Sequence, residues 1–237
     1  YFICRTLDDW ADEGNADLLR DAMDAWQNNL SHELLDHYRF LQARWGLDSK
    51  PLTELMKAML MEQQSVRMRS EAQLLEYCHG VAGTIGLMLC PIFGVKEKKA
   101  LEHADNLGIA MQLTNICRDV FEDAENDRIY LPADLFSSAL TTANLKSEDS
   151  YSREACNAAK ERLLQMADEL YTCSDAGIDY LPFRIRIVVR WASRMYREIG
   201  NVIRTEPKRF HENRAVVGQT KKMFFLIKCI TRSLYKK

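Results

Sequence analysis

Apolar residues recur every three or four positions along most of the chain, and the alternation of apolar and polar residues that is typical of strands is almost absent. This pattern predicts an all-α protein with no internal repeat and no interdomain linker. The predicted helices cover about residues 1–13, 16–29, 31–45, a segment opened by Pro51, and then 70–90, 96–125, 153–174, 182–203 and 214–235.

Glycine, proline and polar clusters mark the breaks between these helices. Gly14 and Gly46 predict helix ends, because glycine adopts the left-handed conformation that closes a helix. The helix of residues 70–90 is expected to stop before Pro91. A turn and an extended segment are expected at Asp127–Pro132. Residues 137–152 are rich in Ser, Thr, Asn and charged residues, which predicts a loop.

The composition fits a folded, helix-rich protein. With 237 residues, 47% of them hydrophobic and 28% charged, the chain is long enough for one large core. The net charge of −2 does not favour nucleic acid as a partner. Seven scattered cysteines without a Cys-x-x-Cys pair predict reduced thiols in a cytoplasmic compartment. No run of eighteen apolar residues is present, so no membrane-spanning helix is predicted.

Positive charge is concentrated at the C-terminal end. From Arg204 to Lys237, ten Lys and Arg stand against two Asp and Glu, a balance of +8, which leaves −10 for the rest of the chain. Residues 221–228 mix basic and apolar side chains. Two interpretations stay open: a helix that packs one face on the core and solvates its lysines, or one that also makes peripheral contact with an anionic membrane.

Two acidic motifs, about a hundred residues apart, carry the candidate chemistry. They cover residues 5–12 and 112–123, and each contains an arginine beside two aspartates spaced four residues apart. Side chains at this spacing share one face of a helix. The paired carboxylates are Asp8 and Asp12 in the first motif and Asp119 and Asp123 in the second.

A stripe of carboxylates flanked by apolar residues is costly to bury and repels itself unless a cation satisfies it. Mg²⁺ takes oxygen ligands and commonly shares them with substrate phosphates. Arg5 and Arg118 offer forked hydrogen bonds to phosphate, and Gln112 and Asn115 offer neutral oxygens and donors. For one motif alone, a solvated helix face with surface ion pairs is the better interpretation; two such motifs favour a metal–diphosphate site. A di-iron bundle is not favoured, because no Glu-x-x-His pair occurs.

Residues 77–86 place three glycines inside a predicted helix. Glycine costs roughly 1 kcal/mol against alanine at such positions, so a packing reason is expected. The small residues make room either for a neighbouring helix or for a long apolar ligand, and both interpretations stay open. Tyr77 shares the glycine face, where its ring and hydroxyl would stabilise a carbocation or orient a phosphate. Tyr130 and Tyr196 are further candidates for this role, although for each of them alone a structural role is the better interpretation.

The chain resembles the squalene/phytoene synthase family. The resemblance is carried by the strings CRTLDDWAD, YCHGVAGTIG and LTNICRDVFEDAENDRIYLP. It implies the all-α isoprenoid synthase fold, with a single helical domain around a central cavity. It also implies two aspartate-rich motifs on opposite walls that bind Mg²⁺, with Mn²⁺ as the alternative ion, and two prenyl diphosphates. The segment RIYLP is similar to phytoene and dehydrosqualene synthases, whereas reductive squalene synthases tend to carry Phe-Trp-Pro there.

The resemblance also implies roles by motif position. The expected metal ligands are Asp8, Asp12, Asn115, Asp119 and Asp123. The expected substrate-binding residues are Arg5, Tyr77, Gln112, Asn115, Arg118 and Tyr130. The expected catalytic residues are the four motif aspartates with Tyr77 and Tyr196.

Two residues depart from the family pattern and are expected to tune the cavity. His79 stands where a tyrosine is common, and Glu62 stands where an aspartate is often found. The family's first helix, with its Ser-Phe segment, has no counterpart in residues 1–237. These residues are therefore expected to form one isoprenoid synthase domain that lacks that helix.

The implied reaction is the head-to-head (1′-1) condensation of two prenyl diphosphates, through a cyclopropylcarbinyl diphosphate, to a phytoene-type hydrocarbon. The expected substrate is geranylgeranyl diphosphate. The alternative is a synthase that uses farnesyl diphosphate to make presqualene diphosphate, dehydrosqualene or squalene. A further alternative is a non-catalytic family member that acts as a scaffold. No NADPH is expected, because no Gly-x-Gly-x-x-Gly follows a predicted strand.

Overall fold

The computed structural model describes residues 1–63, 65–138, 140–146, 150–205 and 215–235. The described chain is built almost entirely of helices. The α-helices are α1 Phe2–Asp12, α2 Ala16–Gln27, α3 Glu33–Trp45, α4 Lys50–Met61, α5 Glu71–Cys78, α6 Thr84–Ile92, α7 Lys98–Glu125, α8 Thr142–Lys146, α9 Ser150–Ser174, α10 Phe183–Thr205 and α11 Gln219–Tyr235. Short 3₁₀ turns lie at Ala133–Leu135 and Gly177–Tyr180.

Two short strands accompany the helices in the described residues. β1 (Val66–Arg67) pairs in parallel with β2 (Arg128–Ile129), with Val66 opposite Arg128. The pair joins the segment after α4 to the segment after α7. It therefore holds together the ends of two helices that line the cavity described below.

The predicted breaks after the first and third helices are confirmed. Gly14 and Gly46 have φ values of 73° and 72°, and Gly46 closes α3. The segment predicted as one helix over residues 70–90 follows a continuous helical path. Its middle, however, is a π-helical turn at His79–Gly83, and α6 continues past Pro91 to Ile92. The prediction that the helix stops before Pro91 is therefore wrong by two residues.

The prediction of a loop over residues 137–152 is wrong in two places. Residues 142–146 form α8, and α9 begins at Ser150. Residues 139 and 147–149 lie outside the described residues. The hydroxyl of Thr141 accepts a hydrogen bond from the backbone N–H of Asn144 and caps α8. Leu145 is buried in the main core, so tertiary packing overrides the polar composition of this segment.

The helix α7 is the centre of the fold. It packs against the helical segment of residues 71–92, against α9 and against α10. Its buried residues lie on several sides of the helix, so no single apolar stripe describes it. A second core cluster contains residues of the helices α1, α2, α3 and α4. Leu7 and Leu113 are fully buried, one in each cluster, and each contributes about 2 kcal/mol through burial.

All seven cysteines are free, as predicted. Within the described residues, one helical run, Glu71–Ile92, is long and apolar enough to cross a membrane by length and composition alone. The sequence has no unbroken apolar run of eighteen residues, and on that ground no spanning helix is predicted from it. The central helix of a folded protein meets the same criterion, and this run packs against α4 and α7.

Candidate active site

A polar cavity of about 570 Å³ lies between α1, α5, α7, β2 and α10. The structure brings every candidate site residue of the sequence analysis to its wall. These residues are Arg5, Asp8, Asp12, Tyr77, Gln112, Asn115, Arg118, Asp119, Asp123, Tyr130 and Tyr196. The wall also includes Met59, Glu62, Val81, Ile116 and Arg128.

The first acidic motif reaches the cavity because α1 is amphipathic. Its opposite face, which includes Leu7, is buried in the second core cluster. Arg5 donates to Asp8 at 2.9 Å and lies 2.6 Å from Asp9, so its guanidinium is held between two carboxylates. Burial, followed by the negative charge of Asp12, raises the pKa of Asp8.

The second acidic motif lies deeper, near the C-terminal end of α7. Arg118 donates through Nε and Nη2 to both oxygens of Asp119, at 2.8 and 2.6 Å. The Arg118 and Asp119 side chains are only 16% and 13% exposed. Burial, followed by the charge of Asp119, raises the pKa of Asp123 to about 7. The site therefore holds a carboxyl group that is costly to ionise without a cation.

Asn115 and Gln112 lie on the same wall, about one and two helical turns before this ion pair. The amide Nδ2 of Asn115 donates to Oε1 of Gln112 at 3.2 Å. The Asn115 Oδ1 atom is buried and has no hydrogen-bond partner within the part of the chain that the structure describes. A buried oxygen without a donor beside aspartates fits a cation ligand.

The carboxylates are distributed along the cavity wall. In the described residues, no three His, Cys, Asp or Glu side chains cluster closely enough to form a metal site by themselves. Mg²⁺ usually keeps several water ligands and uses one or two carboxylates together with substrate phosphates. The donor set therefore fits Mg²⁺ ions that are shared with a diphosphate, and it does not fit a closed protein-only cage.

Arg128 is a wall residue that the sequence did not single out, and Glu62, expected from the sequence only to tune the cavity, lies in its wall. Glu62 accepts hydrogen bonds from the hydroxyls of Tyr77 and Tyr130, the latter at 2.5 Å. The two tyrosine rings stack with centroids 5.0 Å apart. Arg128 lies 3.7 Å from Asp12. The signal for Arg128 was its place at the start of the RIYLP segment, two residues before Tyr130. No pattern marked Glu62 beyond its departure from the family residue.

His79, the other departure, lies outside both the polar cavity and the apolar cavity beside it. Its Nδ1 is 2.6 Å from Asp105, and its Nε2 is 3.3 Å from Glu54. It therefore joins α4 to α7 rather than touching the candidate site.

An apolar cavity of about 390 Å³ continues from the polar one between α6, α7 and α10. The two cavities share Val81, Gln112, Asn115 and Tyr196 on their walls. On α7 the apolar lining runs from Asn115 back to Ala100, which is about 22 Å at 1.5 Å per residue. The combined space has a polar end, which contains the aspartates and arginines, and a long apolar extension.

The glycines of residues 77–86 serve mainly helix packing. A Cβ on Gly80 would lie 2.7 Å from the Ala58 side chain. A Cβ on Gly86 would lie 2.7 Å from the Ala104 carbonyl oxygen, and one on Gly108 would lie 2.5 Å from the Ala82 carbonyl oxygen. Gly86 and Gly108 also line the apolar cavity. Close contact between α6 and α7 is therefore what excludes a side chain, while the ligand interpretation applies to the space beside that contact.

Known proteins resemble this chain over nearly its whole length. A 15-cis-phytoene synthase from Enterobacter agglomerans is 33% identical over 84% of this chain and 62% of its own length. Phytoene synthase 1, chloroplastic, from Solanum lycopersicum is 32% identical over 99% of this chain and 60% of its own length. The chain thus spans about 60% of the length of these curated relatives.

Solved structures show the same fold. The crystal structure of a dehydrosqualene synthase in complex with a ligand aligns with a TM-score of 0.82 and 25% identity, over 99% of this chain and 85% of the other. A squalene synthase from Alicyclobacillus acidocaldarius aligns with a TM-score of 0.69 and 22% identity, over 90% and 81%. The all-α isoprenoid synthase fold is confirmed. The squalene/phytoene synthase family matches residues 1–221, and the chain belongs to this family.

Proposed function

We propose that the protein joins two molecules of geranylgeranyl diphosphate head to head and releases a phytoene-type hydrocarbon. One observation carries the proposal: an acidic, arginine-bearing cavity opens into an apolar cavity, and the two share four wall residues. A prenyl diphosphate has the same division into a charged head and an apolar tail. The relatives named phytoene synthase support the same reaction.

The proposed metal ligands are Asp8, Asp12, Asp119 and Asp123, with the free Oδ1 of Asn115 completing the set. Mg²⁺, when bound there, supplies the positive charge that neutralises these carboxylates and the departing diphosphate. Burial raises the pKa of Asp8 and of Asp123, which is what a site built to receive cations is expected to show.

The arginines are proposed to bind the diphosphates. Arg118 presents a planar fork whose orientation Asp119 fixes with two hydrogen bonds, and Arg5 is held similarly by Asp8 and Asp9. A forked guanidinium matches phosphate oxygens and stabilises the charge that develops as the carbon–oxygen bond breaks. These arginines therefore favour ionisation of the first substrate to an allylic cation and free diphosphate.

The remaining steps take place where the two cavities meet. The C2–C3 double bond of the second substrate attacks the cation, and loss of a proton gives a cyclopropylcarbinyl diphosphate. A second ionisation, rearrangement and proton loss give the conjugated triene. Tyr196 and Val81 line both cavities at this junction. An apolar, aromatic wall excludes the water that would quench the cation.

The length of the apolar cavity favours the C20 substrate. At about 1.25 Å per carbon–carbon bond along its axis, an extended geranylgeranyl chain measures about 19 Å and a farnesyl chain about 14 Å. The lining of about 22 Å along α7 holds the longer chain. The structural similarity to a dehydrosqualene synthase supports the farnesyl alternative, which the experiment must therefore include.

The test is incubation of the purified protein with geranylgeranyl or farnesyl diphosphate, with Mg²⁺ or with EDTA, and identification of the hydrocarbon by mass spectrometry. A C40 triene that requires Mg²⁺ and no NADPH is the expected product. A C30 product from farnesyl diphosphate alone would establish the alternative. Failure to convert either substrate, with Asp119→Asn behaving like the wild type in cells, would favour a scaffold.

We also propose that α11 makes peripheral contact with an anionic membrane surface. Its outer face exposes Met223, Phe224 and Ile227, each more than half exposed. The Lys228 ammonium lies 4.4 Å from the centre of the Phe224 ring, so a cation borders the apolar face. Exposed apolar residues rimmed by lysines match the interface of an acidic bilayer.

Vesicle flotation tests this contact. Binding to vesicles that contain anionic lipid is expected, and Phe224→Asp with Ile227→Asp should abolish it. Leu18→Asp changes an exposed leucine on α2 and serves as the control. Equal flotation of the double variant and the wild type would rule out this surface.

A further inference from the structure

Glu62 lies in the wall of the polar cavity, directly after α4, and neither acidic motif accounts for it. Its Oε1 atom accepts hydrogen bonds from two tyrosines that reach it from different elements. Tyr77 comes from α5, and Tyr130 directly follows β2. The two rings stack at an interplanar angle of 27°. One carboxyl group therefore holds two aromatic side chains that also line the cavity.

This arrangement determines whether the hydroxyl proton or the oxygen lone pairs of each phenol can interact with a ligand in the cavity. A tyrosine hydroxyl has one proton and two acceptor lone pairs. Both hydroxyls donate to Glu62, and they also hydrogen-bond each other, so the remaining lone pairs of the two oxygens are left for other partners. A hydrogen bond to a carboxylate is stronger than one to a neutral acceptor and polarises its donor towards greater negative charge on oxygen.

A buried carboxyl group is an expensive way to hold two side chains in place. Burial raises the pKa of Glu62, while the two tyrosine hydrogen bonds and the charge of Arg128 act in the opposite direction. Two apolar contacts would stabilise the same elements at less cost. The negative charge therefore has a use beyond joining α4 to α5 and β2.

We propose that Glu62 is a positioning residue: acting through Tyr77 and Tyr130, it holds two electron-rich phenol oxygens on the wall of the polar cavity, where they stabilise the carbocation formed beside the junction with the apolar cavity. The inference rests on the proposed function, because it requires a cationic intermediate. It adds that the tyrosines act as a pair under the control of one carboxylate. Glu62 itself touches the phenols and not the reacting carbons.

The first test is Glu62→Gln, which keeps the shape of the side chain and removes its charge. With geranylgeranyl diphosphate and Mg²⁺, kcat is expected to fall about 10- to 30-fold, the difference between charged and neutral acceptors for two hydrogen bonds. KM should change less than about twofold, because Glu62 binds no diphosphate. Glu62→Asp retains the charge and should recover part of kcat.

A matched control is Glu54→Gln, which removes a partly buried carboxyl group from α4, the helix that Glu62 directly follows. Glu54 hydrogen-bonds His79 and lies outside both cavities. Its loss should leave kcat near the wild-type value. If any loss of a carboxyl group from this helix lowered kcat equally, the special role of Glu62 would be refuted.

A double-mutant cycle separates positioning from a structural role. Tyr77→Phe should lower kcat strongly in the wild type and much less in Glu62→Gln, because the carboxylate acts through that hydroxyl. The coupling energy that the same cycle gives for the free energy of unfolding should be smaller than the coupling energy derived from kcat. The inference would be overturned if the two substitutions had additive effects on kcat, or if they were coupled only in the free energy of unfolding. If Glu62→Gln does not fold, the cycle is run under the same criterion with Glu62→Met, which also removes the charge.

The outcome also separates this inference from the function on which it rests. A wild-type protein that converts no prenyl diphosphate refutes both. A wild-type protein that makes the hydrocarbon, beside a Glu62→Gln variant with unchanged kcat, refutes the positioning role alone.

Discussion

At the residue scale, the polar cavity is defined by carboxyl groups that the fold makes difficult to ionise. Burial raises the pKa of Asp8, Glu62 and Asp123, and for Asp123 the value reaches about 7. Such shifts are common where a protein holds cations or carries out proton chemistry. The helical spacing within each motif placed the carboxylates on one face, but burial of that face comes from the packing of α1 and α7 into the fold.

Asp123 makes the stability of the metal-free protein depend on pH. Its pKa is about 7 in the folded protein and 3.8 ordinarily, so the folded state binds the proton more tightly. In EDTA the free energy of unfolding should therefore fall by about 1–3 kcal/mol as the pH rises from about 4 to about 7. Asp123→Asn should remove this contribution to the pH dependence of the free energy of unfolding. Urea titrations of both proteins at several pH values measure it, and parallel curves would contradict it.

Arg118 is expected to be irreplaceable by lysine. Its two hydrogen bonds to Asp119 require a planar fork, which an ammonium group does not offer. Arg118→Lys should raise the KM for prenyl diphosphate about tenfold, while the protein stays folded. Arg20→Lys changes an exposed arginine of α2 paired with Asp17 and should leave KM unchanged. Equal KM values for the two variants would contradict diphosphate binding by Arg118.

At the element scale, the contact between α6 and α7 shapes the apolar cavity. Small residues allow the two backbones to approach, and Gly108 lies against the carbonyl of Ala82. The π-helical turn at His79–Gly83 lies between Tyr77, which faces the polar cavity, and Ile85, which faces the apolar one. Turns of this kind occur often at functional sites. Here the turn lies where the helix passes from one cavity to the other.

Gly108→Ala should therefore destabilise the fold. The added methyl group would lie 2.5 Å from a backbone oxygen that cannot rotate away, so a loss of about 1–3 kcal/mol is expected. Gly218→Ala is the control, because a Cβ there has nothing within 4 Å. Chemical denaturation measures both variants. A Gly108→Ala protein as stable as Gly218→Ala would show that the helices separate easily.

At the scale of the whole molecule, the decisive feature is that a charged cavity and an apolar cavity meet. Elements from both ends of the chain build the pair: α1 contributes aspartates, α7 lines both cavities, and α10 brings Tyr196 to their junction. We expect the depth of the apolar part to select the length of the prenyl chain. This selection can be tested on α7 without touching the polar residues.

His103 lies on the apolar wall, twelve residues before Asn115 and thus about 18 Å along α7. That depth falls between the lengths of the farnesyl and geranylgeranyl chains. His103→Trp should lower kcat/KM for geranylgeranyl diphosphate about tenfold or more and leave any turnover of farnesyl diphosphate within about threefold. Glu102→Trp, exposed at the same depth, is the control. An equal loss of kcat/KM with both substrates would contradict this placement of the prenyl tail.

Local patterns in the sequence were enough to predict most of the helices, the ends at Gly14 and Gly46, and the shared face of each aspartate pair. These features depend on interactions between residues three or four positions apart. The family resemblance added which residues belong to one site, and the structure places all of them on one cavity, where their individual roles stay predictions.

Only the tertiary structure decided what depends on contacts between distant segments. It joined Glu62 to Tyr77 and Tyr130 across 15 and 68 positions of sequence. It turned part of a polar segment into α8 through the burial of Leu145, and it assigned the glycines of residues 77–86 mainly to helix packing. A single sequence carries no signal for such pairings, because the free energy that stabilises them comes from burial against partners that the local pattern does not identify.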